Sequence, residues 1–144
     1  LIHLTDIEEI IELAPRIEKL SANILFDHLA RVRSHNTLDS PGFRTLLALL
    51  RDTDHCWAKI CSWYRLSESG SPYDDMTPYA RALIETRPDR LVWGTNWPHP
   101  NSYVAIPNDG DLLDQFMNWA DDNETRQQIL VDNPARLFGF DTQP

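Results

Sequence analysis

Short apolar runs alternate with longer amphipathic stretches along this chain, and this pattern constrains the fold more than any other feature. Each apolar run is typical of a buried strand, and each is followed by a stretch with helical periodicity. Strands that alternate with helices of this length imply parallel pairing and right-handed crossovers. The predicted strands are 1–4, 23–28, 56–62 and 91–93, and the predicted helices are 7–17, 41–51, 74–86, 111–121 and 124–131.

The length of the chain limits how much of a β/α barrel this pattern can form. A whole eight-stranded β/α barrel takes about 250 residues, with roughly 200 as a lower limit, whereas this chain has 144 residues. We therefore expect an α/β fold with about four parallel strands, a single but incomplete (β/α)8 TIM-barrel domain over residues 1–144. The chain starts at Leu1 without a methionine, which predicts a piece of a longer protein. Open sheet edges need covering, so we expect a missing half, a second copy of the chain or a rearranged flat sheet to complete it.

The net charge indicates which kinds of binding partner to expect, and the two cysteines indicate the redox setting. The net charge of −9 argues against nucleic acid, but it allows an anionic small molecule where arginines gather locally. No apolar run approaches the roughly 20 residues of a membrane span, so we expect no membrane partner. Cys56 and Cys61 lie an odd number of residues apart in one predicted strand, and their side chains should point to opposite faces. Free thiols and a reduced, cytoplasmic setting are the expectation.

The stretch 91–100, LVWGTNWPHP, is the strongest indication of a functional site. An apolar strand that ends in a polar, proline-fixed loop is how α/β folds present a site at the carboxyl ends of their strands. Two loop residues precede a proline and are biased towards extended backbone. Gly94 and Asn96 share one face by the period of two, so we expect the missing side chain at Gly94 to leave room for a ligand beside Asn96.

This stretch resembles the WGTDWPHP signature of the metal-independent lactonase branch of the amidohydrolase superfamily, and most of all the 2-pyrone-4,6-dicarboxylate lactonases. The resemblance extends over nearly the whole chain. It implies the carboxyl-terminal half of a barrel and the hydrolytic opening of a lactone that carries carboxylates. There are two departures: the family has Asp where this chain has Asn96, and the family's amino-terminal half is missing. The further matching segments are FDHLAR (26–31), WAKICSWYR (57–65), PNDG (107–110) and VDNPARLFGF (131–140).

Three side chains take substrate roles under this resemblance. His28 ends a predicted strand, where barrel enzymes keep working residues, and the resemblance implies that it polarises the scissile carbonyl. Arg31 and Arg65 match arginines that bind substrate carboxylates, and a guanidinium fork suits that task. The alternatives are a histidine that tethers a loop and two solvated surface arginines.

Two further histidines are candidates for substrate contact. His3 stands where the family tends to place a substrate-contacting tyrosine, and its alternative is a frayed chain end. His99 lies in the proline-flanked loop and could line the pocket. Its alternative is a side chain that buttresses Asn96 or the loop backbone.

Asn96 is the position that decides activity. The resemblance implies a general base there, which takes a proton from the water that attacks the lactone. An amide has no proton-accepting charge at neutral pH, and loss of a positioned base typically costs about 10²–10⁴ in rate. An engineered substitution, a natural loss of activity and a natural replacement are all compatible with the sequence.

Neither a metal nor another cofactor is expected. Metal-dependent amidohydrolases use a His-x-His pair and further histidines on middle strands, whereas this chain has no His-x-His and offers Lys59 and Cys61 on its third strand. Only His28 matches a ligand type, and zinc needs three or four ligands. Phosphate loops, catalytic-cysteine signatures and nucleophile elbows are also missing from the sequence.

Three functions remain as hypotheses. The first is a fragment of a metal-independent hydrolase that opens a carboxylated lactone and is weak or inactive alone. The second is a non-catalytic half-barrel that binds an anionic ligand or a partner chain. The third is a decarboxylase-type amidohydrolase on the same scaffold.

Overall fold

Three short strands form a parallel sheet in the order of the sequence. The computed structural model describes residues 1–100 and 106–140. Leu25 lies opposite Trp57 in the register, and Lys59 lies opposite Val92. The α/β class with parallel strands is confirmed. The strands are β1 Ile24–Phe26, β2 Cys56–Ile60 and β3 Leu91–Trp93.

The segment predicted as a first strand makes one bridge instead of a ladder. Ile2 pairs in parallel with Phe26, its backbone N donates to Leu25 O at 2.8 Å, and its carbonyl accepts from Asp27 N at 3.0 Å. The segment therefore lies beside β1, where a fourth strand is expected. After Ile2 the chain leaves the sheet edge and buries Leu4 and Ile7 in the core under the helices, and this ends the pairing.

The helices follow the predicted periodicity, except at the carboxyl-terminal end. The predicted helix 124–131 is a short α-helix followed by a π-helical turn, Gln128–Asp132, which leads into another helix. None of the helices in the described ranges combines the length and the apolar character that a membrane crossing needs. The α-helices are α1 Glu9–Ile17, α2 Pro41–Asp52, α3 Thr77–Thr86, α4 Asp109–Trp119, α5 Asn123–Gln127 and α6 Asn133–Phe138.

One face of the sheet packs against the helices and forms the main core. Helices α1 and α2 approach closely at Gly42, where an added Cβ would lie 2.7 Å from the Ile7 carbonyl oxygen. Only glycine fits there without a backbone shift. The fully buried side chains of this face include Phe26, Ile60 and Leu91 from the strands and Phe43, Leu46, Leu50, Leu83 and Phe116 from the helices.

The face of the sheet that points away from the main core, here called the inward face, is only partly covered. Leu25, Trp57 and Val92 form a small separate cluster with Leu137 of α6. Arg136 lies over the Trp57 ring, with its guanidinium carbon 4.9 Å from the ring centroid. Beside this cluster runs an apolar groove of about 550 Å³. Its lining includes Leu1, Phe138 and Phe140, whose exposed fractions are 78%, 54% and 63%.

Both cysteines are buried and free, as the sequence predicts. Cys56 packs in the core under the helices, whereas Cys61 donates from Sγ to Oδ1 of Asp27 on the inward side, at 3.3 Å. The two thiols therefore lie on opposite faces of the sheet.

Candidate active site

A left-handed turn follows β1 and carries two of the predicted site residues. His28, Leu29, Ala30 and Arg31 all have positive φ, at 53°, 49°, 50° and 63°. This conformation costs roughly 1–2 kcal/mol for each residue other than glycine. Leu29 and Ala30 are fully buried, and their packing offsets part of that cost. Strained backbone of this kind clusters at functional sites.

Asp27 is a buried carboxylate that stabilises the start of this turn through hydrogen bonds. Its Oδ1 accepts from the backbone N of His28 at 3.0 Å and from Cys61, and it lies 3.5 Å from Nζ of Lys59. Burial alone would raise the pKa of Asp27, but Lys59, His28 and the bound donors together outweigh burial and lower it. Asp27 is therefore ionised at neutral pH. Burial and the Asp27 charge raise the pKa of Cys61 to about 12, so this thiol stays protonated.

Asn96 joins the ends of all three strands. Its φ is 72°, again in the left-handed region. Its Oδ1 lies 3.1 Å from Nε2 of His28, beyond β1. Its Nδ2 donates to the hydroxyl oxygens of Ser62, at 3.1 Å, and Tyr64, at 2.9 Å, both beyond β2. The loop after β3 therefore belongs to the same site as His28.

His99 lies on the far side of Tyr64 from Asn96. Its Nδ1 is 2.9 Å from the Tyr64 hydroxyl, and its Nε2 is 2.9 Å from Oδ1 of Asp109, at the start of α4. The His99 side chain is buried. Both ring nitrogens thus have protein partners. The His99 ring reaches the Asn96 side chain through Tyr64, and the His99 backbone N donates directly to the Asn96 carbonyl oxygen at 2.8 Å.

His28 is buried, and its two ring nitrogens face different groups. Burial lowers the pKa of His28 below its ordinary value, and nearby His3 and Arg65 lower it further, against the opposing effects of Asp27 and Asn96. The ring is therefore neutral at neutral pH. Nδ1 lies 3.2 Å from Oδ2 of Asp27 but makes no hydrogen bond in the described part of the chain. The exposed ring of His3 meets His28 edge-on, with centroids 4.6 Å apart.

Arg31 and Arg65 gather positive charge beside His28. Burial lowers the pKa of Arg31, and the charges of Arg33 and Arg65 lower it further, while Asp6 opposes them. Nε of Arg31 is buried without a hydrogen-bond partner within residues 1–100 and 106–140. Neither Arg31 nor Arg65 forms an ion pair with a described carboxylate. Clustered and uncompensated guanidinium groups in an acidic protein are suited to binding an anion.

Three side chains could approach a metal ion together. Ligand atoms of His3, Asp27 and His28 lie within 4.8 Å of one another. Sequence reasoning does not predict this group, because its members come from two separate segments of the chain. Asp27 already accepts several hydrogen bonds through Oδ1 and faces Lys59, so it is better placed as a hydrogen-bond acceptor than as a ligand. The absence of a metal remains a prediction.

The space beside Gly94 has a different occupant from the one expected. A Cβ added at Gly94 would lie 3.1 Å from Cε of Lys59. The missing side chain therefore makes room for the aliphatic part of Lys59, which reaches Asp27. The expectation that Gly94 leaves space for a ligand beside Asn96 is wrong.

The structure thus brings most of the predicted site residues together and adds others. His3 and Asn96 contact His28, and Arg65 lies close enough to lower its pKa. Arg31 ends the same turn, and His99 lies behind Asn96. Sequence reasoning missed Asp27, Tyr64 and Asp109. Asp27 and Tyr64 directly precede His28 and Arg65 in the chain, which was an available signal, whereas Asp109 meets His99 only through the fold.

Relatives of this chain include proteins that are named as lactone hydrolases. A family model described as amidohydrolase matches residues 1–140. The chain is 43% identical to a 4-sulfomuconolactone hydrolase of Hydrogenophaga intermedia over 129 residues, 88% of this chain and 42% of that protein. It is 37% identical to a 2-pyrone-4,6-dicarboxylate hydrolase of Comamonas testosteroni, over 83% of this chain and 42% of that protein.

A solved structure shows the same fold. The citrate-bound crystal structure of a probable 2-pyrone-4,6-dicarboxylic acid hydrolase from Acinetobacter baumannii matches with a TM-score of 0.80 at 25% identity. The match covers 96% of this chain and 51% of that one. The chain therefore spans about half the length of the proteins that it matches, and its fold is that of half an amidohydrolase TIM barrel.

Proposed function

The chain belongs to the amidohydrolase family, and on that premise we propose that it is part of an enzyme that hydrolyses lactones bearing acidic groups. The observation that carries this proposal is the buried His28, 3.1 Å from Asn96, near two arginines that pair with no carboxylate in the described residues, Arg31 and Arg65. Relatives named as hydrolases of a sulfonated and a dicarboxylated lactone support it. Both of these substrates combine an anionic group with a cyclic ester.

The geometry suits the two tasks that such a reaction sets. Arg31 and Arg65 would bind the acidic group. The Nε2–H of His28, which faces Asn96 at 3.1 Å, would be shared with the ester carbonyl oxygen and would polarise it. Water adds to that carbonyl carbon and the ring C–O bond breaks. The proton that the water loses passes to the released ring oxygen, which becomes a hydroxyl group. Position 96 lies 3.1 Å from His28 and would take that proton first. Asn96 cannot do so at neutral pH. We therefore expect this chain to keep its affinity for the lactone but to hydrolyse it slowly or not at all.

We further propose that a complementary half-barrel covers the inward face of the sheet. The apolar groove beside Val92, with exposed Phe138 and Phe140, supports this proposal. So does the chain's coverage of only 42% of the Hydrogenophaga intermedia and the Comamonas testosteroni relatives. A second copy of the chain is the alternative occupant. The buried free thiols of Cys56 and Cys61 support a cytoplasmic setting.

The test combines this chain with the remaining segment of the Comamonas testosteroni relative. Hydrolysis of 2-pyrone-4,6-dicarboxylate is followed by loss of lactone absorbance, for the unmodified chain and for Asn96→Asp. The variant should be faster by about 10²–10⁴, the usual contribution of a general base. Equal rates would overturn the role of position 96. Citrate binding without turnover in either form would favour the non-catalytic anion-binding half-barrel.

A further inference from the structure

We propose that Tyr64 is a positioning residue for position 96, which sets the orientation of the Asn96 side chain and thereby makes Nε2 of His28 a proton donor. The inference rests on the proposed function, because it concerns the group that would polarise the lactone carbonyl. It is carried by an uninterrupted series of short contacts that begins at α4 and ends at β1. The members of that series are Asp109, His99, Tyr64, Asn96, His28 and Asp27.

The outer part of the series fixes the direction of each hydrogen bond. The carboxylate of Asp109 can only accept, so the hydrogen in its 2.9 Å contact comes from Nε2 of His99. In the His99 ring that carries its one hydrogen on Nε2, Nδ1 is an acceptor, and Tyr64 donates its hydroxyl hydrogen to it at 2.9 Å. With that hydrogen committed, the Tyr64 oxygen can only accept from Asn96. It therefore holds the Nδ2 end of the amide, at 2.9 Å.

The inner part of the series follows from that orientation. With Nδ2 turned to Tyr64 and Ser62, the amide presents Oδ1 to His28. Oδ1 has no hydrogen, so Nε2 of His28 must donate across the 3.1 Å contact. Neutral His28 then carries no hydrogen on Nδ1. Nδ1 accordingly makes no hydrogen bond within the described residues, although it lies 3.2 Å from Oδ2 of Asp27. Burial lowers the pKa of His28, which agrees with a neutral ring.

A carboxylate at position 96 would reverse the outer bonds. It would accept from His28, Ser62 and Tyr64 alike, so the Tyr64 hydroxyl would turn from His99 to position 96. Nδ1 of His99 would then have to donate to the Tyr64 oxygen while Nε2 still donates to Asp109. The Tyr64 hydroxyl can thus serve either Asn or Asp at position 96 by changing the direction of its hydrogen bond. The presence or absence of a hydrogen on Nδ1 of His99 then shows which residue is present.

The test measures ¹⁵N signals of the histidine rings in the labelled, unmodified chain at pH 7. We expect both His28 and His99 to carry their hydrogen on Nε2. Tyr64→Phe should shift the ring signals of His28, although two hydrogen bonds separate the residues. Tyr73→Phe is the matched control, because it removes a neighbouring phenol whose ring centroid lies 6.5 Å from that of Tyr64. This control should leave His28 unchanged.

A second variant keeps the test decisive if Tyr64→Phe fails to fold. Asn96→Asp should protonate Nδ1 of His99 at the same pH, and Asn96→Asp with Tyr64→Phe should abolish that change. A hydrogen on Nδ1 of His99 in the unmodified chain would overturn the inference. So would His28 signals that ignore Tyr64→Phe in a folded protein, or His99 signals that ignore Asn96→Asp. None of these readouts needs turnover, so a failed lactone assay would count against the proposed function alone.

Discussion

The two faces of the sheet differ although the same three strands supply both. The helix-facing side is closed, and its strand residues Phe26, Ile60 and Leu91 are fully buried. The inward side begins with the apolar residues Leu25, Trp57 and Val92 and then changes to polar groups towards the carboxyl ends of the strands. Buried charges are costly unless they are paired. The contrast therefore separates a face that serves stability from the face on which we propose a ligand and a covering half-barrel. The residues at the polar end of the inward face are Asp27, Lys59, Cys61 and Gly94.

The largest effect should come from truncating the closed face. Ile60→Ala should lower the free energy of unfolding by about 4 kcal/mol, because it leaves a cavity in tightly packed surroundings. Leu25→Ala, on the inward side, should cost about 2 kcal/mol, since its surroundings are partly open and can relax. Urea denaturation measures both. Equal losses would mean that the inward face is packed as well as the core.

The next effect concerns the anion site at the end of the inward face. Arg31→Met should weaken citrate binding by about 10- to 100-fold, because a hydrogen bond to a charged group contributes about 1.5–3 kcal/mol. Isothermal titration calorimetry of the chain gives the dissociation constants. Arg44→Met, at an exposed position of α2, is the control and should bind citrate as the unmodified chain does. Unchanged affinity in Arg31→Met would remove this arginine from the site.

A smaller effect should depend on pH. Lys59→Met removes the charge that does most to keep the pKa of Asp27 below its ordinary value, and we expect a loss of about 1–2 kcal/mol at pH 7. A lowered carboxyl pKa contributes stability that is present above the unfolded value of 3.8 and is lost as the pH falls through the folded value. In the variant, burial dominates and the pKa of Asp27 rises. The difference from the unmodified chain should therefore shrink from pH 7 towards pH 4.

Urea denaturation at several pH values measures this difference. Lys19→Met, at an exposed position, is the matched control and should show no such trend. A stability difference for Lys59→Met that stays constant between pH 7 and pH 4 would contradict the assigned charge pairing on the inward face.

The smallest effect should come from the loop beyond both faces. Trp97 is 75% exposed, so Trp97→Ala should change the free energy of unfolding by less than about 0.5 kcal/mol. Thermal unfolding measured by circular dichroism is sufficient to test this. A loss above about 1 kcal/mol would mean that the indole packs against the protein and that the comparison must include a third, stabilising region.

Sequence reasoning succeeded where local pattern determines structure. The alternation of apolar runs predicted β1, β2 and β3, and the match to a known signature placed His28 and Asn96 in one site. It was less complete where distant segments meet. Asp109 contacts His99 and Lys59 fills the space beside Gly94 only because the strands and helices bring them together. The left-handed turn was also unforeseen, because its four residues include no glycine to signal positive φ.

That turn has a consequence for how the site responds to change. Because His28 and Arg31 are held by one strained stretch of backbone, they cannot move independently of each other. Any substitution that lets the stretch relax to the right-handed form would displace, in a single event, the group proposed to polarise the carbonyl and the group proposed to anchor the anion. Loss of catalysis and loss of affinity should therefore arise together from one mutation, even when neither side chain has been altered.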